Sequence, residues 1–418
     1  MTRPSGASRS LTWLLAAEAV SLTGSRISFL ALPWLVLETT GSAAQTGLVA
    51  FAEMLPYVLA SALGGPIIDQ RGPRRMSIRA DVASVLVVSV VPFLYGVGLL
   101  PLGALLSVIA VAGALRGFGD IAKRAIFPLA VEASGVDLTR ATGLHDGIDR
   151  LSFLVGGALG GALIVWLGAA NVLLVDAASF AIAAVVVAAL VRVALAAQAI
   201  GEREPYGPAL RAGFNYVRHD RLLLGIVFAV LATNLLDQAH FGVFLPVWAH
   251  EVLDSPGALG LVFGAFGLGA VLGNLVFTAL APKLRRFTTF SICFFIAGAP
   301  HILVMAVTSS LAAVAIALLT TGVLGAGINP ILSSVVYERV PRHFQARVLG
   351  LLRATAWAGV PLGGLVGGLL VEGLGLTGAL LLVGAVYLTV TAAPFVMPAW
   401  REMDNPRPAE SGTSLLVA

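Results

Sequence analysis

Few side chains of this 418-residue chain can carry a proton or hold an ion, and several of them stand inside long apolar runs. Glu18 and Arg26 share the first run, Glu53 lies in the second, and Arg116, Asp120 and Arg124 follow at four-residue steps in the fourth. Asn234, Asp237 and His240 fall within one later run, with Asp176, His301 and Asn329 in others. A charge at the centre of a bilayer costs on the order of 2.5–3.5 kcal/mol or more, so such residues face a cavity or a partner. Burial in a low dielectric makes a carboxylate protonatable near neutral pH. Glu18, Glu53, Asp120 and Asp237 are therefore the proton-coupling candidates. Arg26, Arg116, Asn234, His240 and Asn329 are candidates for lining a cavity or closing a gate. Arg116, Asp120 and Arg124 can also neutralise one another along one helical face. His145, Asp146, Asp149 and Arg150 form a second polar cluster, which with Glu132 could relay charge to the basic loop at 71–75.

Other chemistries are excluded or unsupported. The single cysteine, Cys293, rules out an internal disulfide. The two lysines, Lys123 and Lys283, follow Ala122 and Pro282, so no Gly-x-x-x-x-Gly-Lys-Ser/Thr phosphate loop exists. No His-Glu-x-x-His pattern and no recognisable nucleophile–base pair is present. No metal, cofactor or nucleic acid is expected, and any transport work must draw on an ion gradient or on the substrate's own gradient.

The elements that position these residues are membrane helices. Apolar residues make up 58% of the chain and charged ones 11%, with a mean hydropathy of +0.94, which makes lipid the solvent. Apolar runs cover about 11–37, 45–68, 76–97, 101–132, 142–167 and 171–193, then 221–250, 256–281, 287–308, 310–340, 346–371 and 375–398. The first is too long for a signal-peptide core and reads as a retained helix. The expectation is an all-α membrane protein of twelve transmembrane helices in two six-helix bundles, 1–193 and 221–400, joined by a cytoplasmic linker, 194–220, and followed by a cytoplasmic tail, 401–418. The connections near 38–44, 97–101, 167–171, 250–256, 308–311 and 372–377 hold no Lys or Arg, whereas the alternate connections are rich in Arg. That asymmetry orients both termini to the cytoplasm of a cell membrane.

The two halves repeat each other. Leu32-Pro33, Glu38, Ser42 and Gly47-Leu48-Val49 recur 213 residues on as Leu245-Pro246, Glu251, Ser255 and Gly260-Leu261-Val262. Arg140, Gly143, Gly156-Gly157 and Gly160-Gly161 recur 207 residues on as Arg347, Gly350, Gly363-Gly364 and Gly367-Gly368. Glycines at four-residue spacing let a neighbouring helix approach closely. By the first offset Arg26 falls beside Ala239, so Arg26 and Asp237, neither with a charged partner one turn away, are expected to pair across the halves when the outer gate is shut and to separate when it opens, with His240 near them.

Between the second and third runs stands Gly65-Pro-Ile-Ile-Asp69-Gln-Arg71-Gly72-Pro-Arg74-Arg75. Gly65 is read as a close-approach position, and Gly72 as a turn with positive φ ahead of Pro73. The pattern Gly-x-x-x-Asp-x-x-Gly-x-Arg-Arg resembles the signature loop of the major facilitator superfamily, with Gln70 and Pro73 departing from it. The repeat is of the parallel kind found in that fold. The resemblance implies that Asp69 engages the helix starting near Arg347, that Arg74 or Arg75 meets an acid, and that this latch gates the cytoplasmic side. Gly156, Gly157, Gly160 and Gly161 resemble the antiporter motif of drug exporters, with Gly157 in place of proline. Arg116 with Gly117 and Gly119 partly resembles the basic motif associated with proton coupling. The implied function is proton-coupled export of a hydrophobic or amphiphilic drug-like molecule by a monomer, in the manner of antibiotic-resistance facilitators. Export of a lipid, siderophore or native antibiotic, import of a nutrient, or a membrane enzyme or receptor are the alternatives.

Overall fold

A computed structural model describes residues 9–192 and 206–404; the chain's first eight residues, 193–205 at the start of the expected linker and the tail past 404 lie outside it. The first half folds as α1 (Ser10–Thr40), α2 (Ala43–Leu63), the short α3 (Gly65–Arg71), α4 (Pro73–Gly96), α5 (Leu102–Ser134), α6 (Leu138–Leu167) and α7 (Ala169–Leu190). A surface helix, α8 (Tyr206–Arg218), precedes the second half. There α9 (Arg221–Ala239) runs through a π-helical turn, His240–Phe244, into α10 (Leu245–Glu251), followed by α11 (Pro256–Leu280). Two helix pairs come next, α12 (Arg286–Ala297) with α13 (Pro300–Val307) and α14 (Leu311–Gly325) with α15 (Ile328–Arg339), before α16 (Arg342–Val396). Among the described residues, eleven helical stretches are long and apolar enough to cross a membrane.

Local chemistry sets the boundaries. Ser42 and Ser255, equivalent in the repeat, each accept the N–H three residues ahead, of Gln45 and Ala258 at 3.2 Å, and so start α2 and α11. Gly72 takes φ +84° between α3 and α4, and Pro73 stands in the first turn of α4. The last stretch is not one straight rod. Gly375 has φ +71°, and the residues on either side of it meet the same level of α9: Gly363 abuts Leu235 and Gln238, while Tyr387 bonds Asp237. The chain therefore folds back at Gly375.

The glycine series place the two halves against each other. Gly157 and Gly161 face α11, where a Cβ on Gly161 would lie 2.7 Å from the Cα of Gly260. Their equivalents Gly364 and Gly368 face α2, where a Cβ on Gly368 would lie 3.1 Å from the Cα of Gly47. The other member of each pair turns inward: Gly156 and Gly160 pack on α1, and Gly363 and Gly367 on α9. So the motif paves two adjoining faces rather than one. Gly65 corrects its expected role, since a Cβ there would meet open space; Gly64, against the ring of Phe118, makes the close approach.

One end of the molecule is closed and the other is split. At the end bearing Gly41, Gly168 and Gly375, a single buried core runs through both halves, including Trp34, Phe180, Phe244, Trp248 and Val383. At the opposite end the core divides in two, one around Leu14, Ile126 and Val187, the other around Leu223, Phe290 and Val335. The connections at the closed end lack Lys and Arg, and the basic loops gather at the split end.

Candidate functional site

The space between the halves is a cavity of two lobes, about 550 and 560 Å³, which meet at Asp149, Phe153, Asn234, Asp237, Phe241 and Phe266. The lobe in the second half is mainly apolar and aromatic. Its walls include Phe290, Phe294, Trp357 and Tyr387, and Asn329 lies on its rim. The lobe in the first half is lined by charge: Glu18, Arg26, Arg116, Asp120, Lys123 and Arg124 all reach it. Arg124 is exposed and Asp146 is 65% exposed, so this lobe opens toward the split end.

Its charges are held in cross-helix contacts. Arg116 on α5 meets Glu53 on α2 at 2.8 Å and lies over the ring of Tyr57, 5.1 Å from its centroid. The Tyr57 hydroxyl donates to Asp120 at 3.0 Å. Arg116 and Asp120 therefore do not neutralise each other along the helix; α2, which packs on α5, supplies the partners of both. Lys123 is 3% exposed and bonds Asp81 of α4 at 3.0 Å, with Ser21 of α1 at 3.3 Å. Glu18, also buried, has His145 Nε2 at 3.6 Å, and His145 Nδ1 lies 3.6 Å from Asp146. Tyr57 packs on Trp357 from the other half, 5.7 Å between ring centroids.

Arg26 does not meet Asp237. It bonds Asp149 of α6 at 3.0 Å and covers the ring of Phe153 at 4.9 Å. Asp237 instead accepts the Tyr387 hydroxyl at 2.9 Å. The cause is the close packing of α1 on α6 through Gly156, whose surface lies against the Arg26 Cβ and turns that side chain toward Asp149. Asn234 donates to the Ala356 carbonyl at 3.0 Å. His240 leaves the cavity altogether. It is fully buried, 4.5 Å from the His301 ring, on a face of the span beside the one carrying Asn234, Asp237 and Phe241. Asp176 is also away from the cavity wall, collecting the hydroxyls of Ser28 at 2.7 Å and Ser179 at 3.3 Å.

In the signature loop, Asp69 and Arg71 sit on α3. Arg74 does not meet an acid in the first half; its guanidinium donates to the carbonyls of Val187, Ala188 and Val191 at the end of α7. Those carbonyls lack helical partners, and a guanidinium fork fits them. Lys123 and Asp81 were not among the sequence candidates, nor were Tyr57, Trp357 and Tyr387. Lys123 would have been the one to find, as one of two lysines in a chain so rich in arginine.

Residues 7–412 match the family described as transmembrane secretion effector. The chain belongs to this family, within the major facilitator superfamily. It is 29% identical to "Multidrug efflux pump Tap" of Mycobacterium tuberculosis over 396 residues, 94% of each chain. It is 22% identical to "Macrolide efflux protein A" of Streptococcus pyogenes, over 93% of this chain and 96% of that one. The fold matches the crystal structure of the nucleoside transporter NupG with a TM-score of 0.72 at 14% identity, over 93% and 98% of the two chains. A member of this family is a membrane transporter and not an enzyme.

Proposed function

We propose that the chain exports hydrophobic or amphiphilic drug-like molecules in exchange for protons by alternating access. The observation that carries this reading is the cavity itself: it lies between two repeat-related halves, is sealed at one end and open at the other, and joins an aromatic lobe to a charged one at Asp237. An amphiphile has an apolar body for the first and a polar group for the second. Relatives named as multidrug and macrolide efflux proteins support drugs as the cargo. In this reading the stretch folded at Gly375 counts as two spans, which makes twelve in two six-helix bundles, 1–193 and 221–400. The positive-inside rule places the basic, split end in the cytoplasm, with the linker 194–220, both termini and the tail 401–418 on that side. The cavity is then inward-open, in a monomer of the cell membrane.

Glu18, Glu53, Asp120 and Asp237 remain the candidates for carrying the proton in this reading, and the loop residues Gly65, Asp69, Arg71, Gly72, Arg74 and Arg75 those for the cytoplasmic gate. The test is transport by purified protein in proteoliposomes under an imposed pH gradient, alongside a drug-susceptibility screen of a pump-deficient host. Export that follows the substrate gradient and ignores the pH gradient would remove proton exchange from the proposal. A chain that protects against no compound would remove the cargo.

A further inference from the structure

Toward the split end the lining of the aromatic lobe includes Trp400, a residue that follows the last membrane helix. Past Val396 the chain leaves helical geometry at Met397 and makes a tight 3₁₀ turn over Pro398–Met403. Trp400 and Met403 in this turn are 2% and 0% exposed, so the segment is packed into the protein and not laid on its surface. Trp400 stacks on Phe290 with ring centroids 5.4 Å apart and planes 11° from parallel. Its other edge lies on Gly225, where a Cβ would stand 3.2 Å from the indole. Together with Phe290, Ile226, Ile328 and Leu332, Trp400 lines the lobe.

Polar contacts pin this turn to the bases of three helices. Arg339, buried at the end of α15, bonds the carboxylate of Asp220 and reaches Glu402 at 2.6 Å. Asp220 in turn caps α9, accepting the N–H of Leu222 at 3.0 Å and of Leu223 at 3.1 Å. Asp404 accepts the N–H of Phe287, in the first turn of α12, at 2.9 Å. A charge-assisted bridge between two otherwise separate carboxylates, around a guanidinium with little access to water, is hard to replace.

We propose that Pro398–Asp404 is a working part of the cavity, in which Trp400 forms the end wall of the aromatic lobe and limits the length of apolar body it accepts. Arg339 is the positioning residue that holds the wall in place. The substrate side of this inference rests on the efflux reading above. The lining near Trp400 offers rings and branched aliphatic chains, so the part of a ligand that reaches the wall is alkyl or aromatic, while its polar group stays at the Asp237 level. Shortening the wall residue lengthens the lobe toward the split end.

The probe is a homologous series of alkyl quaternary ammonium ions of increasing chain length, scored as resistance in a pump-deficient host. Trp400→Ala is expected to move the preferred chain length upward and to change the ratio of long- to short-chain resistance about ten-fold. Trp400→Phe keeps the wild-type order, Arg339→Gln shifts it in the same direction as Trp400→Ala, and Lys283→Gln, on an exposed turn away from the lobe, leaves it unchanged. Equal loss for every chain length in Trp400→Ala, with normal amounts of protein in the membrane, overturns the proposal. If the wild-type chain protects against no member, it is the cargo reading that fails. The wall is then judged by hydrogen exchange: slow exchange of the 399–404 amides in the wild type and fast exchange in Arg339→Gln support it, and fast exchange in the wild type overturns it.

Discussion

The phenol of Tyr387 donates a 2.9 Å hydrogen bond to Asp237, tying the final stretch of α16 to the acid at which the two lobes meet. The contact joins residues 150 positions apart and survives only while the chain folds back at Gly375. Asp237→Asn preserves size and hydrogen bonding but removes the ionisable carboxyl, and with it, if the proposed exchange runs through this residue, the proton. Substrate binding is expected to persist, with transport driven by a pH gradient falling to the level of protein-free vesicles. Tyr387→Phe removes a bond to a carboxylate, an interaction of about 1.5–3 kcal/mol; it should lower the melting temperature in detergent and slow transport without abolishing it. Gradient-driven transport at the wild-type rate in Asp237→Asn would exclude this residue as the carrier.

Arg26 and Asp149 form the pair that joins α1 to α6 beside the cavity, 3.0 Å apart. Their side chains are 33% and 48% exposed, so screening by water holds the pair to about 1 kcal/mol or less. Its value lies in orienting Arg26 over Phe153. Reversing the charges, Arg26→Asp with Asp149→Arg, should restore part of the transport lost in either single variant. The reversal Arg26→Asp with Asp237→Arg should restore none. A better rescue through Asp237 would mean that another state of the cycle re-pairs Arg26 across the halves.

Two glycines of similar appearance in the sequence should respond in opposite ways. A Cβ on Gly161 would sit 2.6 Å from the Pro256 carbonyl oxygen, at the contact of α6 with α11. Gly161→Ala forces the halves apart there, a strain of about 1–3 kcal/mol, and should reduce both thermal stability and transport. Gly65→Ala meets open space and should leave stability unchanged. Equal melting temperatures for Gly161→Ala and wild type would show that the interface yields without cost.

How much of this was legible follows from what each interaction depends on. Helix positions came from runs of apolar residues, and the glycine repeat from spacing, because both are local properties of the chain. The repeat even carried matching helix caps, Ser42 and Ser255. Ion-pair partners were not legible. Arg116 has Asp120 one turn away, yet its partner is Glu53, because which side chains meet depends on how α2 and α5 are rotated against each other. Symmetry in the sequence pairs Arg26 with Asp237, but α6 packs on α1 at that level and Asp149 takes the contact. His240 looked like a cavity residue because it follows Asp237 by three positions; the structure turns it toward His301. Arg74 ended on backbone carbonyls, acceptors that no residue pattern displays.

Lys123 and Asp81 give the sharpest test of the packing in the first half. Each side chain is 3% exposed, and the pair at 3.0 Å joins α5 to α4, with Ser21 of α1 completing the ammonium's partners. Removing one member strands the other charge away from water, which costs about 3–5 kcal/mol, whereas replacing both with apolar residues of similar volume is often neutral. Lys123→Met alone should therefore melt well below wild type, and Asp81→Leu alone likewise. The double variant should recover to within about 1 kcal/mol of wild type, with a coupling energy of several kcal/mol between contacting sites. Transport should return with stability, because the ammonium is engaged by Asp81 and Ser21 and serves to hold three helices in register. A double variant as unstable as either single one would refute the pairing. One that is stable but inactive would move Lys123 from the scaffold to the site.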